Sequence, residues 1–147
     1  MNKNFYFSAV LKGLILIIVF FVSNVSDAQN APSVSASLNK KTYSPGESGI
    51  LTLNFKTGSK VKIPKDPGID LELTTSDING QGFQDYSGGE SDYISNSKVK
   101  YNFTVNSSAA EGSTVTVSGN VKFGYCTTAD GVCKIATKSF SVKAKIK

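Results

Sequence analysis

The chain predicts an all-β fold, an antiparallel sandwich, and three observations predict it. Apolar residues recur at every second position in run after run. Glycine, proline, asparagine and aspartate clusters punctuate those runs. No window of a dozen residues beyond residue 28 keeps a helical period. Alternation of period two buries one face of a strand and wets the other, which is the signature of sheets packed on one side.

The runs follow in order. Gln29 to Ser35 reads as a loose leader, although Val34, Ala36 and Leu38 already alternate. Leu51, Leu53 and Phe55 form the next run, and Ile69, Leu71 and Leu73 another. Val99, Tyr101, Phe103 and Val105 alternate with Lys100, Asn102 and Thr104. Val115, Val117, Val121, Phe123 and Tyr125 share one parity, opposite Thr116, Ser118, Asn120 and Lys122. Phe140, Val142, Ala144 and Ile146 close the chain. Ser44-Pro45-Gly46, Thr57-Gly58-Ser59, Asn79-Gly80, Ser87-Gly88-Gly89, Glu111-Gly112 and Asp130-Gly131 are the expected breaks. Six or seven short strands in this length suggest an immunoglobulin-like antiparallel β-sandwich. Thr75 to Ser97 is the exception: a polar, glycine-rich stretch, long for a loop, that carries Phe83, Tyr86 and Tyr93.

The amino terminus predicts export. Lys3 and Lys12 flank a short positive region, and Leu14 to Val22 is an unbroken apolar run of nine residues. Ser26 and Ala28 supply small residues at the −3 and −1 positions of a cut before Gln29. A spanning helix needs about 20 apolar residues. The expectation is a cleaved signal peptide over residues 1–28 and one domain over 29–147, exported to the periplasm with no stable membrane insertion after cleavage. Fourteen of the sixteen lysines and ten of the eleven acidic residues follow residue 28, which leaves that portion at +4, with no arginine or histidine anywhere. Scattered lysine without arginine reads as a solvated surface rather than a nucleic-acid footprint.

Most catalytic chemistry is excluded by residue type. Without histidine there is no Ser-His or Cys-His nucleophile pair and no histidine metal site. Two cysteines cannot build a zinc tetrad within the chain, and no glycine-rich phosphate loop sits between a strand and a helix. Asp66, Asp70 and Glu72 lie close in sequence but read as solvent-facing groups around a strand start. No cofactor or metal is implied.

What remains is Cys126 and Cys133, separated by Thr127-Thr128-Ala129-Asp130-Gly131-Val132. An exported chain pairs two such cysteines under oxidising conditions. A hairpin that turns over Thr128 to Gly131 sets them face to face, about 4.5–5.5 Å apart. One that turns on Asp130-Gly131 alone sets Cys133 against Thr128. The sequence leaves the register open. Because Phe123 and Tyr125 have the inward parity, Cys126 starts on the outward side. No lysine or histidine adjoins it along the chain, so a modest nucleophile is expected. A redox-active pair and a structural staple remain in balance on these residues. The second would suit a non-enzymatic immunoglobulin-like binding or surface module.

The carboxyl-terminal half, KVKYNFTVNSSAAEGSTVTVSGNVKFGYCTTADGVCKIATKSFSVKAKI, resembles the amino-terminal periplasmic domain of the thiol:disulfide interchange protein DsbD. Gly124-Tyr125-Cys126, an acidic-glycine loop and Cys133 carry the likeness most clearly. Phe83-Gln84-Asp85-Tyr86-Ser87-Gly88-Gly89, followed by Tyr93, looks like the family's cap loop. The resemblance spans Leu38 to Ile146 and is strongest from Phe83 onward. It departs at Lys134-Ile135, where the family commonly has proline after the second cysteine. It implies an immunoglobulin-like domain that passes electrons through the Cys126/Cys133 pair. Cys133 would be the attacker and Cys126 the resolver, with Tyr125 beside them. Tyr86 would be the cap aromatic and Asp85 its acidic neighbour. The partners implied are thioredoxin-fold periplasmic oxidoreductases and a membrane-embedded electron donor.

Overall fold

The computed structural model describes residues 31–84, 92–94 and 98–147. The apolar run Leu14 to Val22 lies outside them. Among the described residues no helix is long and apolar enough to cross a membrane.

Among the described residues nine strands form in chain order: β1 Ser33–Leu38, β2 Thr42–Tyr43, β3 Ser48–Lys56, β4 Val61–Lys62, β5 Ile69–Leu73, β6 Ile78–Phe83, β7 Lys98–Val105, β8 Thr114–Thr127 and β9 Cys133–Ile146. One sheet has the order β1-β3-β7-β6. The other runs β2-β9-β8-β4, with β5 also paired to β8. Among the described strands all pairings are antiparallel except the short parallel contact of β2 with Lys145 and Ile146 at the end of β9. The all-β sandwich read from the alternating runs is therefore the observed architecture.

Alternation explains how the sheets meet. In β3, Leu51, Leu53 and Phe55 point inward and are buried, while the residues between them are partly exposed. In β8 the buried set is Val115, Val117, Val121, Phe123 and Tyr125. Phe55 packs edge-on against Phe123 at 5.0 Å between ring centroids, and Tyr43 against Phe103 at 5.7 Å, so aromatic pairs tie one sheet to the other. Burying each such ring contributes about 1.5–3 kcal/mol. The Tyr43 hydroxyl is not orphaned: it donates to Asn39 Oδ1 at 2.8 Å and accepts from the Lys40 amide.

Three expectations need correction. The leader does not reach Ser35, because Ser33 to Leu38 pairs with Lys56 to Leu51 as β1. Asn79-Gly80 is not a turn but part of β6, which pairs with β7 through a register shift between Gly80 and Gly82. Most of Thr75 to Phe83 is thus not loop: turn-forming residues are tolerated there because β6 is an edge strand with a bulge. The last strand begins at Cys133, well before the alternating run that starts at Phe140. Lys134, Ile135 and Thr137 hid it, since their exposed, lysine-rich stretch gives no clean apolar alternation.

Gly119 shows how tightly the strands approach. It opposes Leu73 in the β5–β8 pairing, and a Cβ there would overlap the Glu72 carbonyl oxygen and crowd the Phe140 ring. Only glycine lets β5 lie against β8 at this point.

Candidate functional site

Chain order and two prolines build the site. β8 and β9 pair continuously from Thr114↔Lys145 to Cys126↔Cys133, so the long hairpin sets the two cysteines opposite each other at its tip. Their Cα atoms are 4.0 Å apart and the sulfurs are bonded at 2.04 Å. Thr127 N–H donates to the Val132 carbonyl at 2.9 Å just beyond them. That makes Cys126/Cys133 a non-hydrogen-bonded pair, the position where facing side chains come closest. The register left open by the sequence is settled: the turn spans Thr128 to Gly131, and the Gly131 amide reaches back to the Thr127 carbonyl at 3.1 Å. Gly131 takes φ 69°, a left-handed conformation that most side chains resist.

Asp130 locks this turn. Its carboxylate accepts from the Thr127 hydroxyl and from the Val132 amide, the latter at 3.2 Å. The Thr127 hydroxyl bond, followed by the Val132 amide, holds its pKa below the ordinary aspartate value. Thr128 is tied outward: its amide donates to the Lys60 carbonyl at 2.8 Å, just before β4.

The two cysteine residues differ in exposure. Cys133 is exposed and Cys126 partly buried, both on the outer face, as the parity of β8 predicts. Tyr125 lies one residue away but on the inner face, 4% exposed and packed in the core. It therefore supports the strand under the bridge rather than touching the solvent side of the sulfurs. Among the described residues Val132 and Ile135 are the exposed large hydrophobics, at 43% and 65%, and they bracket Cys133. Ile135 opposes Gly124 on the outer face. There, with Pro67, Ile69, Asp70 and Lys122, it borders a cleft of about 310 Å³ beside the bridge.

The other side of β8 was not legible in advance. β4 pairs with its end, Val61 against Thr127 and Lys62 against Cys126. Pro64 and Pro67 then carry the chain across Gly124 before β5 resumes the pairing with β8. A further short stretch docks on the residues that follow β4: Tyr93 bridges Pro64, the Ile94 amide donates to the Ile63 carbonyl, and the Lys65 amide donates to the Asp92 carbonyl. The Lys62 ammonium sits 4.6 Å from the centroid of the Tyr93 ring. No lysine adjoins Cys126 along the chain, but one stands opposite it across the ladder. A residue 64 positions away in sequence leaves no local signal of that kind.

Asp85 and Tyr86, the cap residues implied by the resemblance, lie outside the described residues. Phe83 ends β6 against the Tyr101 ring, at 5.1 Å between centroids. Tyr93 is the described aromatic of that stretch whose ring meets Lys62, the residue opposite Cys126. Asp66, Asp70 and Glu72 are exposed, as expected, and the described residues contain no cluster of three or more potential metal ligands.

The arrangement is a disulfide at a hairpin tip, between a partly buried cysteine and an exposed one, with exposed Val132 and Ile135 next to the latter along the chain. Neither a family model nor a curated protein matches the chain.

Proposed function

We propose that this chain is a thiol–disulfide exchange protein that passes electrons between redox partners through Cys126 and Cys133. One observation carries the reading. Cys133, itself an exposed residue, is flanked along the chain by Val132 and Ile135, the large apolar side chains that the described surface leaves in water. Apolar groups at a reactive sulfur favour docking of a partner, whereas a bridge that serves only to brace a fold gains nothing from them.

The chemistry needs no other group. In the reducing direction a Cys133 thiolate attacks one sulfur of a partner disulfide, forms a mixed disulfide and expels the partner's other sulfur as a thiolate. Cys126, as thiolate, then attacks Cys133 Sγ, closes the internal bridge and releases the second partner thiolate. Two electrons leave the pair, and both protons go to solvent or to the released thiolates. The assignment of Cys133 as the entry sulfur follows the resemblance to the DsbD amino-terminal domain and agrees with its greater exposure. On the same reading the protein works in the periplasm between thioredoxin-fold oxidoreductases and a membrane-embedded donor.

The competing reading is a binding or surface module whose bridge is a staple. Equilibration of the pair with glutathione at fixed redox ratios separates the two. An exchange pair takes a potential above about −300 mV, in the range of dithiol oxidoreductases, whereas structural bridges fall below it. A value below that line would refute the exchange function.

A further inference from the structure

We propose that Lys62 is a positioning residue that makes Cys126 the departing and resolving thiolate, so that exchange enters the pair at Cys133. The proposal rests on the exchange reading above and names the group that gives it a direction.

The geometry points to this in three steps. First, Lys62 is the cross-strand partner of Cys126 in the β4–β8 ladder, and directly opposed residues share a face with Cβ atoms about 5 Å apart. The Lys60–Thr128 bond next to it fixes that register. Second, Lys62 favours one sulfur over the other. Cys133 lies one strand further away, on the far side of Cys126. Its own neighbour Lys134 alternates to the opposite face, against Tyr125. Third, the ammonium lies 4.6 Å from the centroid of the Tyr93 ring, whose face attracts a cation without neutralising it, and among the described residues no carboxylate pairs with it.

The consequence follows from the balance of the exchange step. When a partner thiolate attacks Cys133 Sγ, a new S–S bond forms to Cys133, the Cys126–Cys133 bond breaks, and its electron pair leaves on Cys126. The sulfur with the lower thiolate pKa departs faster. Partial burial of Cys126 alone disfavours its thiolate, and a cation opposite it works the other way. In the reverse step the same cation keeps Cys126 deprotonated and ready to close the bridge. Exposure selects the sulfur that is entered, and Lys62 selects the sulfur that leaves.

The test measures thiolate pKa values directly, by the pH dependence of iodoacetamide alkylation of Cys126 in a Cys133→Ala background. Adding Lys62→Met should raise that pKa by about half a unit or more, roughly a three-fold loss of thiolate at neutral pH, as expected for one nearby charge at a partly exposed site. Lys62→Arg should restore it, and Lys134→Met should leave it unchanged. In the protein with both cysteines, a single equivalent of a small thiol, trapped by acid and mapped by mass spectrometry, should label Cys133. Lys62→Met should erode that preference. An unchanged pKa in Lys62→Met, an equal shift in Lys134→Met, or labelling chiefly at Cys126 overturns the proposal. The glutathione equilibrium tests the exchange function separately: a potential in the structural range sinks that function, while the alkylation profile still reports whether Lys62 acts on Cys126.

Discussion

Replacing both cysteines, Cys126→Ala with Cys133→Ala, separates a working bridge from a supporting one. The two residues are seven apart, so the bridge closes a small loop. The loop-entropy relation then gives about 2.5 kcal/mol for what the bond withholds from the unfolded chain. The hairpin does not depend on the bond for its register. Thirteen residue pairs from Thr114↔Lys145 to Cys126↔Cys133 align β8 with β9. The Thr127–Val132 bond and the Asp130 contacts close the turn beyond them. The variant should therefore stay folded and cooperative in urea. Its stability should fall by about 2–3 kcal/mol, equivalent to a midpoint lower by roughly 10 °C in a thermal scan. Phe123→Ala is the comparison, because it empties a site 1% exposed where the two sheets meet and should cost about 3–5 kcal/mol. A double variant that is unfolded at room temperature, or that loses more than Phe123→Ala, would show that the bridge is structural and refute the reasoning.

Two other perturbations test the frame around the site. Gly119→Ala should destabilise the protein by about 2 kcal/mol or more, since the new methyl group meets the Glu72 carbonyl, a backbone atom that cannot swing aside; a neutral unfolding curve would mean that β5 does not lie against β8 as described. For Asp130 the folded pKa is depressed, so its contribution is complete above the ordinary aspartate value and disappears as pH falls through the lower folded value. The Val132 amide resonance should report that titration, and a midpoint at or above the ordinary value would remove Asp130 as the lock of the turn.

The sequence reading succeeded where one residue's neighbours sufficed. Leu51, Leu53 and Phe55, or Val99, Phe103 and Val105, announce their buried face by alternation alone, and the structure buries all six. The outward start of Cys126 was legible from the parity of Phe123 and Tyr125. What failed needed partners distant in the chain. Asn79-Gly80 has the composition of a turn, and only the pairing of β6 with β7 makes it a strand. The hairpin register depended on which residues of the Thr128–Gly131 turn hydrogen-bond, and two arrangements were equally compatible with the spacing. Lys62 was beyond reach, because its relation to Cys126 is created by an isolated two-residue strand between a glycine-serine turn and a proline.

The length of β9 fixes where the protein can be handled. Cys133 opens the fourteen-residue strand and Ile146 ends it, at a spacing that separates the two by up to roughly 40 Å. The far end is clamped: Ile146 exchanges backbone bonds with Gly112 and Ser113, and the Lys147 amide donates to the Tyr43 carbonyl. A linker, dye or surface tether joined after Lys147 would thus be held at the opposite end of the molecule from the sulfurs. Immobilised in that way, the protein would present its bridge outward to whatever flows past, and electrodes or sensor chips could read thiol exchange without the attachment standing in the path.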